Sequence, residues 1–173
     1  MQPTFSSSRI LQPVRPWFVV FSLLAALLLN FLPTSAWPWM PDWVALTLVF
    51  WCIREPRRVG MSWGFILGLA MAVADSSLLG QHALAYVLAA YFASSLSRRI
   101  LCFPLGQQAL HILPLLIMVQ VVQFGVRAVP GIELPGLGYF IGPFVGTALW
   151  LPLTFILLLP QYQPVDRDAN RPI

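Results

Sequence analysis

The chain has 173 residues, of which 58% are hydrophobic, 13% aromatic and only 9% charged, with a mean hydropathy of +0.78. Soluble proteins carry about 25% charged residues, so a water-soluble globule is excluded, whereas six apolar crossings of ~20 residues would use about 120 residues and leave short loops. All ten basic residues are arginine and the formal net charge is +4, so their placement must say what the charge is for.

Runs free of Asp, Glu, Lys and Arg cover 16–41, 59–74, 76–97, 100–126 and 134–165. Together with the punctuation between them they predict helices over roughly 17–32, 41–54, 61–79, 82–97, 108–128 and 137–160. The expected architecture is therefore an all-α integral membrane protein with six transmembrane helices in one bundle: a cytoplasmic segment 1–16, a membrane domain 17–160 and a polar tail 161–173 that need not fold.

The first helix follows Arg9 and Arg15 and precedes Thr34-Ser35-Ala36. A secretory signal would look similar, but the apolar run is longer than an ordinary signal core and lacks an A-x-A site, so an uncleaved crossing is expected. The second is the shortest, with only the eleven residues Trp43 to Ile53 between Asp42 and Arg54. It is counted as a crossing because Trp37, Trp39 and Trp43 at one end and Trp51 at the other read as interfacial belts, and Pro41-Asp42 can open a helix early. The third carries Gly64-x-x-x-Gly68 and the sixth Gly142-x-x-x-Gly146, spacings that put small residues on one face for close backbone approach, either within the bundle or against a partner helix. Pro114, Pro143 and Pro152 lie within the fifth and sixth, where kinks are expected. Cys52 and Cys102 have neither disulfide-framework nor metal-ligand spacing and read as small apolar residues.

Arginine placement tests the count of six. With the N-terminus in the cytoplasm, Arg9 and Arg15, then Arg54, Arg57 and Arg58, then Arg98 and Arg99, and finally Arg167 and Arg171 all fall on the cytoplasmic side; only Arg127 falls on the other. That is the asymmetry of the positive-inside rule, with both termini cytoplasmic. The basic balance thus describes orientation, not a nucleic-acid partner.

Asp75 is the polar residue hardest to place. Counting ~1.5 Å per residue from Met61 puts it roughly 21 Å into a ~30 Å core, where an acid needs a partner or water. Arg127 is the expected partner, with Glu133 its rival for that guanidinium and snorkelling of Asp75 to the external interface the alternative. The stretch Ala74-Asp75-Ser76-Ser77-Leu78-Leu79-Gly80-Gln81-His82 gathers an acid, two hydroxyls and an imidazole, but without a GxSxG elbow it reads as helix capping rather than hydrolase chemistry. His82 and His111 fall on opposite sides of the membrane and cannot share a metal. A Walker A loop, a GxGxxG and an acidic metal cluster are all missing, so neither enzyme activity nor a cofactor is expected.

The order and spacing of several segments resemble the rod shape-determining protein MreD family. They are Pro41-Asp42-Trp43, the basic turn Glu55-Pro56-Arg57-Arg58-Val59-Gly60, Gly64-Phe65-Ile66-Leu67-Gly68-Leu69, Leu79-Gly80-Gln81-His82-Ala83-Leu84-Ala85-Tyr86, Pro104-Leu105-Gly106-Gln107-Gln108-Ala109-Leu110 and Trp150-Leu151-Pro152. The likeness covers nearly the whole chain and is strongest over 41–120. Two positions depart from the family pattern: the acid usual eight residues before the Leu-Gly glycine falls here on Ala72, with Asp75 nearly a turn later, and Met40 replaces a frequent basic residue. The shift favours packing over a proton relay at Asp75.

The resemblance implies a non-enzymatic adaptor in the bacterial inner membrane that joins the bitopic protein MreC and, through it, the MreB filament, the peptidoglycan polymerase RodA and its transpeptidase. It also implies a bundle similar to the substrate-binding subunits of energy-coupling-factor transporters. Contact is expected at the faces of Gly64, Gly68, Gly142 and Gly146 and at the turn of Gly80 and His82. The alternative is a small-molecule or lipid-intermediate binder, or a transporter subunit, using the few polar groups of the bundle interior: Asn30, Asp75, Gln120 and Gln123.

Overall fold

A computed structural model describes residues 15–31, 40–75, 77–78, 80–131 and 136–161; the side chains of Leu137 and Pro160 are outside that description. Its helices are α1 (Pro16–Phe31), α2 (Trp43–Arg54), α3 (Met61–Ala74), α4 (Gln81–Leu101), α5 (Leu105–Ala128) and α6 (Gly142–Leu158). A 3-10 turn, Leu137–Ile141, leads into α6 and another, Leu159–Gln161, follows it. Six helices thus appear where the charge-free runs predict them, and no strand occurs among the described residues.

The organising element is α2. Every residue from Val44 to Ile53 is buried, because a helix apolar all round has no face to give to solvent and is wrapped by α1, α4, α5 and α6. Trp51 belongs to this core and not to an interfacial belt. It is fully buried, donates from Nε1 to Ser22 Oγ at 2.7 Å, and meets Phe18 and Phe50 edge to face. An indole in an apolar interior needs such an acceptor, and Ser22 of α1 supplies it. Trp43 is half-buried, while Trp37 and Trp39 lie outside the described residues.

Large apolar side chains instead cover the outside. Trp17, Phe21 and Leu28 on α1, Phe65, Ile66 and Val73 on α3, and Phe144, Phe155 and Ile156 on α6 are all exposed. By length and composition two segments, Leu105–Ala128 and Gly138–Leu158, suffice to cross a membrane, and three shorter apolar helices accompany them.

The glycine pairs work inside the bundle. A Cβ on Gly64 would lie 2.7 Å from the carbonyl oxygen of Tyr86, and one on Gly68 would overlap the backbone of Ala83. Helix α3 therefore approaches α4 backbone to backbone over this stretch, as small-xxx-small spacing permits. In α6, Gly142 faces the Gln120 amide and the Met40 carbonyl, and Gly146 faces Leu116 and Pro41. Of the three prolines, Pro114 and Pro152 are interior to α5 and α6, but Pro143 occupies the first turn of α6, where the missing N–H costs nothing.

Helix α3 ends at Ala74, five residues short of the predicted 79. The Asp75 N–H bonds the Met71 carbonyl and the Ser77 N–H reaches back to Ala72 at 3.1 Å, the six-to-one bond that closes a helix C-terminus. Gly80 then takes φ +100° immediately before α4, a left-handed conformation that explains the glycine without any contact, since nothing lies within 4 Å of where its Cβ would be.

Gly68→Ala should lower stability by more than about 2 kcal/mol, because backbone must move, whereas Gly146→Ala should stay within about 1 kcal/mol, because the nearest atom is the movable Leu116 Cδ1. Thermal unfolding of the two variants in detergent checks the contrast, and equal losses would contradict it.

Candidate functional site

At the end of the bundle opposite Arg54, Arg58, Arg98 and Arg99, two helices stop short. Twelve-residue α2 is roughly 18 Å long and fourteen-residue α3 roughly 21 Å. Over the N-terminus of α2 and the C-terminus of α3 lies a cavity of about 180 Å³, lined by Asn30, Met40, Pro41, Asp42, Met71, Asp75, His82, Gln120, Gln123, Arg127 and Tyr139. Eight of these eleven residues are polar or charged, in a chain where only 9% of residues carry charge.

Asp42 anchors one wall. It is the N-cap of α2, its Oδ1 accepting from the Ala45 N–H at 3.0 Å, the local role for which a carboxylate before a helix is favoured. The same oxygen accepts from Asn30 Nδ2 at 3.0 Å, and Asn30 Oδ1 in turn accepts from the Trp43 N–H at 3.1 Å, so the end of α1 is stitched to the start of α2. Oδ2 accepts from the Tyr86 hydroxyl of α4 at 2.6 Å, a short charge-assisted bond. Three helices thus meet on one carboxylate. Nothing in the sequence links positions 30, 42 and 86; Pro41-Asp42 reads only as a helix start.

A second network forms the opposite wall. The Tyr139 hydroxyl donates to Gln123 Oε1, which leaves the Gln123 Nε2 to donate to His82 Nδ1 at 3.1 Å. With the amide so oriented, the proton of a neutral imidazole is on Nε2, and that nitrogen lies 3.2 Å from Asp75 Oδ2. The contact is close but off the N–H axis, so it counts as an ion-pair approach and leaves Nε2 without an aligned hydrogen bond.

Asp75 therefore pairs with His82 and not, as expected from depth, with Arg127. The reason is local: ending α3 at Ala74 and starting α4 at Gln81 brings the acid and the imidazole together across one turn, while Arg127 occupies the last turn of α5. Asp75 and Arg127 share the cavity without an ion pair, and Glu133 lies outside the described residues. Gly80 shapes the turn and faces open space, while His82 is buried behind it.

Nδ1 of His82 is bonded by Gln123, Nε2 lies beside Asp75, and no serine among the described residues bonds the ring. His111 stacks on Phe103 at the arginine end of the bundle, far along α5 from His82's partner Gln123. No group of three metal-ligating side chains occurs among the described residues.

Comparison with known proteins now decides the family. The model of rod shape-determining protein MreD matches residues 8–159. The chain belongs to the MreD family. A curated relative, the rod shape-determining protein MreD of Haemophilus influenzae, is 35% identical over 74 residues, covering 39% of this chain and 44% of that protein. The match therefore spans less than half the length of this relative. No solved structure matches the chain, so the expected likeness to energy-coupling-factor subunits receives no support. The matching family is described as rod shape-determining, and MreD proteins are membrane proteins.

Removing one partner of the Asp42 to Tyr86 bond leaves a part-buried polar group unpaired, so Tyr86→Phe should cost about 1–3 kcal/mol. In a double-mutant cycle with Asp42→Asn the two losses should be less than additive by at least about 1 kcal/mol, read from detergent unfolding curves. Strict additivity would mean that the bond is not made.

Proposed function

We propose that this MreD-family chain is a multi-pass adaptor of the cell-elongation machinery in the bacterial inner membrane, with six crossings and both termini cytoplasmic. The observation that carries the reading is the separation of charge along the bundle. The turns holding Arg54, Arg57, Arg58, Arg98 and Arg99 are at one end, and among the described residues Arg127 is the basic residue at the other, as the positive-inside rule asks of a protein threaded this way. The arginine turns then face the cytoplasm and the polar cavity opens toward the periplasm. Short α2 and α3 are accommodated because α2 never meets lipid and the cavity fills the depth that both leave.

The adaptor docks the transmembrane helix of MreC on its outer surface and through it joins MreB, RodA and the RodA transpeptidase, without catalysing a reaction. Since the GxxxG faces are consumed within the bundle, docking uses the outer rows of α3 and α6, where Phe65, Phe144 and Phe155 stand exposed.

Replacing Phe65, Phe144 or Phe155 in cells with a photo-crosslinking phenylalanine analogue should trap a bitopic membrane protein. The same analogue at buried Trp150 or Tyr86 should trap none. If every outer position captures lipid alone, docking through α3 and α6 is wrong; reporters placing the two chain ends on opposite sides of the membrane would overturn the six-crossing arrangement.

A further inference from the structure

Hydrogen bonding inside the cavity leaves a specific set of groups over. Asp42 is satisfied by three donors, and Gln123 and Tyr139 satisfy each other and the Nδ1 of His82. What remains is the Arg127 guanidinium, with no hydrogen bond or ion pair among the described residues; the Asp75 carboxylate, 43% exposed, with one oxygen beside the unaligned Nε2 of His82; and Gln120 Oε1, buried without a partner. Gln120 is 93% removed from solvent, its residue being only 7% accessible, so its unpaired carbonyl is a polar group held at a cost unless something polar enters the space it lines. A cavity of about 180 Å³ is well above the ~15 Å³ that a single water needs.

One cation with five donors, one anion and one neutral acceptor define the complement. We propose that the cavity binds a compact zwitterion: a primary ammonium joined within a few bonds to a carboxylate or phosphate. The anionic group takes the planar fork of Arg127, which suits either oxyanion bidentately. The ammonium directs its three protons at Asp75 and at Gln120 Oε1, satisfying the acceptors that the fold leaves open. A quaternary ammonium has no proton to give and is rejected, because it would leave Gln120 unpaired. The fragments alone are weak, since an amine without its anion leaves Arg127 unmatched and an anion without its amine faces Asp75. The same chemistry is carried by a free amino acid and by the phosphoethanolamine headgroup of a lipid, and the site recognises what they share. This binding does not depend on the docking of a partner helix.

The test is the thermal unfolding midpoint of the full chain in detergent freed of phosphatidylethanolamine. Saturating glycine or O-phosphoethanolamine should raise the midpoint by about 3 °C or more, while ethanolamine, acetate, inorganic phosphate and phosphocholine should leave it unchanged. Asp75→Asn and Arg127→Gln should each abolish the response, Gln120→Leu should weaken it at least tenfold in ligand concentration, and Arg99→Gln at the opposite end should preserve it. The unliganded midpoint of each variant shows whether it still folds, and Gln120→Leu, which removes no charge, carries the test if a charge variant does not. In nanodiscs, loss of the O-phosphoethanolamine response when phosphatidylethanolamine is added to phosphatidylcholine identifies the headgroup as occupant; a glycine response indifferent to that lipid identifies a free amino acid. Silence with both zwitterions, an equal response to a fragment, or a response that survives in folded Asp75→Asn and Arg127→Gln would overturn the proposal and leave a water-filled vestibule.

Discussion

An acid at the end of the bundle away from the arginine turns is the constraint around which the rest is arranged. Asp42 can be there because three donors from three helices converge on it: its own α2 N-terminus, Asn30 of α1 and Tyr86 of α4. Each bond is to a group fixed on a helix, so satisfying the carboxylate fixes where those helices cross. Tyr86 extends the effect. Its side chain holds Asp42 while its backbone carbonyl faces the gap left by Gly64, so the same turn of α4 binds α2 on one side and α3 on the other. A bundle whose helices have no hydrophobic reason to prefer one another over lipid needs such directional ties to select one packing.

The cavity follows from helix length. Because α2 is buried on all sides, it needs no lipid-facing surface and can be shorter than a hydrocarbon core of ~30 Å, provided its open end is capped. Because α3 is stopped by its six-to-one bond, the acid after it is turned inward toward His82 rather than carried outward along another turn of helix. Two short helices side by side leave a depression, and only polar walls are compatible with water or a ligand reaching it. The walls come from α1, α3, α4, α5, the 3-10 turn before α6 and the start of α2, so the polar groups are gathered by the fold and not by any one segment.

Six helices were legible in the chain because charged residues fall almost only between them, and the starts at Trp43, Met61 and Gln81 lie within two residues of those predicted. The end of α3 was misread because Ser77 and Leu78 are compatible with helix by composition; what stops it is a backbone bond to Ala72 and the left-handed Gly80, and the glycine was the available signal. Trp51 was misread because an aromatic near the end of an apolar run looks interfacial, and only its bond to Ser22, 29 positions away, shows that it is core. Depth arithmetic chose the partner of Asp75 by charge, when an imidazole seven residues on was nearer in space. The separations of 12 and 44 residues that tie Asn30 and Tyr86 to Asp42 carry no pattern that a single sequence displays.

The use of both glycine pairs within the bundle changes what an outside helix can find. The Gly64 and Gly68 face is already taken by the backbone of α4, and the Gly142 and Gly146 face by the side chains of Gln120 and Leu116 of α5 and by the Met40–Pro41 segment. A helix arriving from the lipid meets Phe65, Ile66, Phe144, Phe155 and Ile156, side chains that pack by filling gaps rather than by bringing backbones together. In lipid, such packing competes with acyl chains that fill the same gaps nearly as well, so it contributes little selectivity by itself. On the proposed docking, discrimination among partners would come from where directional groups reach the surface, and on the described residues those are the arginine turns at one end and the cavity rim at the other. On the proposed docking of a partner helix, the apolar middle would set where that helix lies, and the two polar ends would decide which one stays.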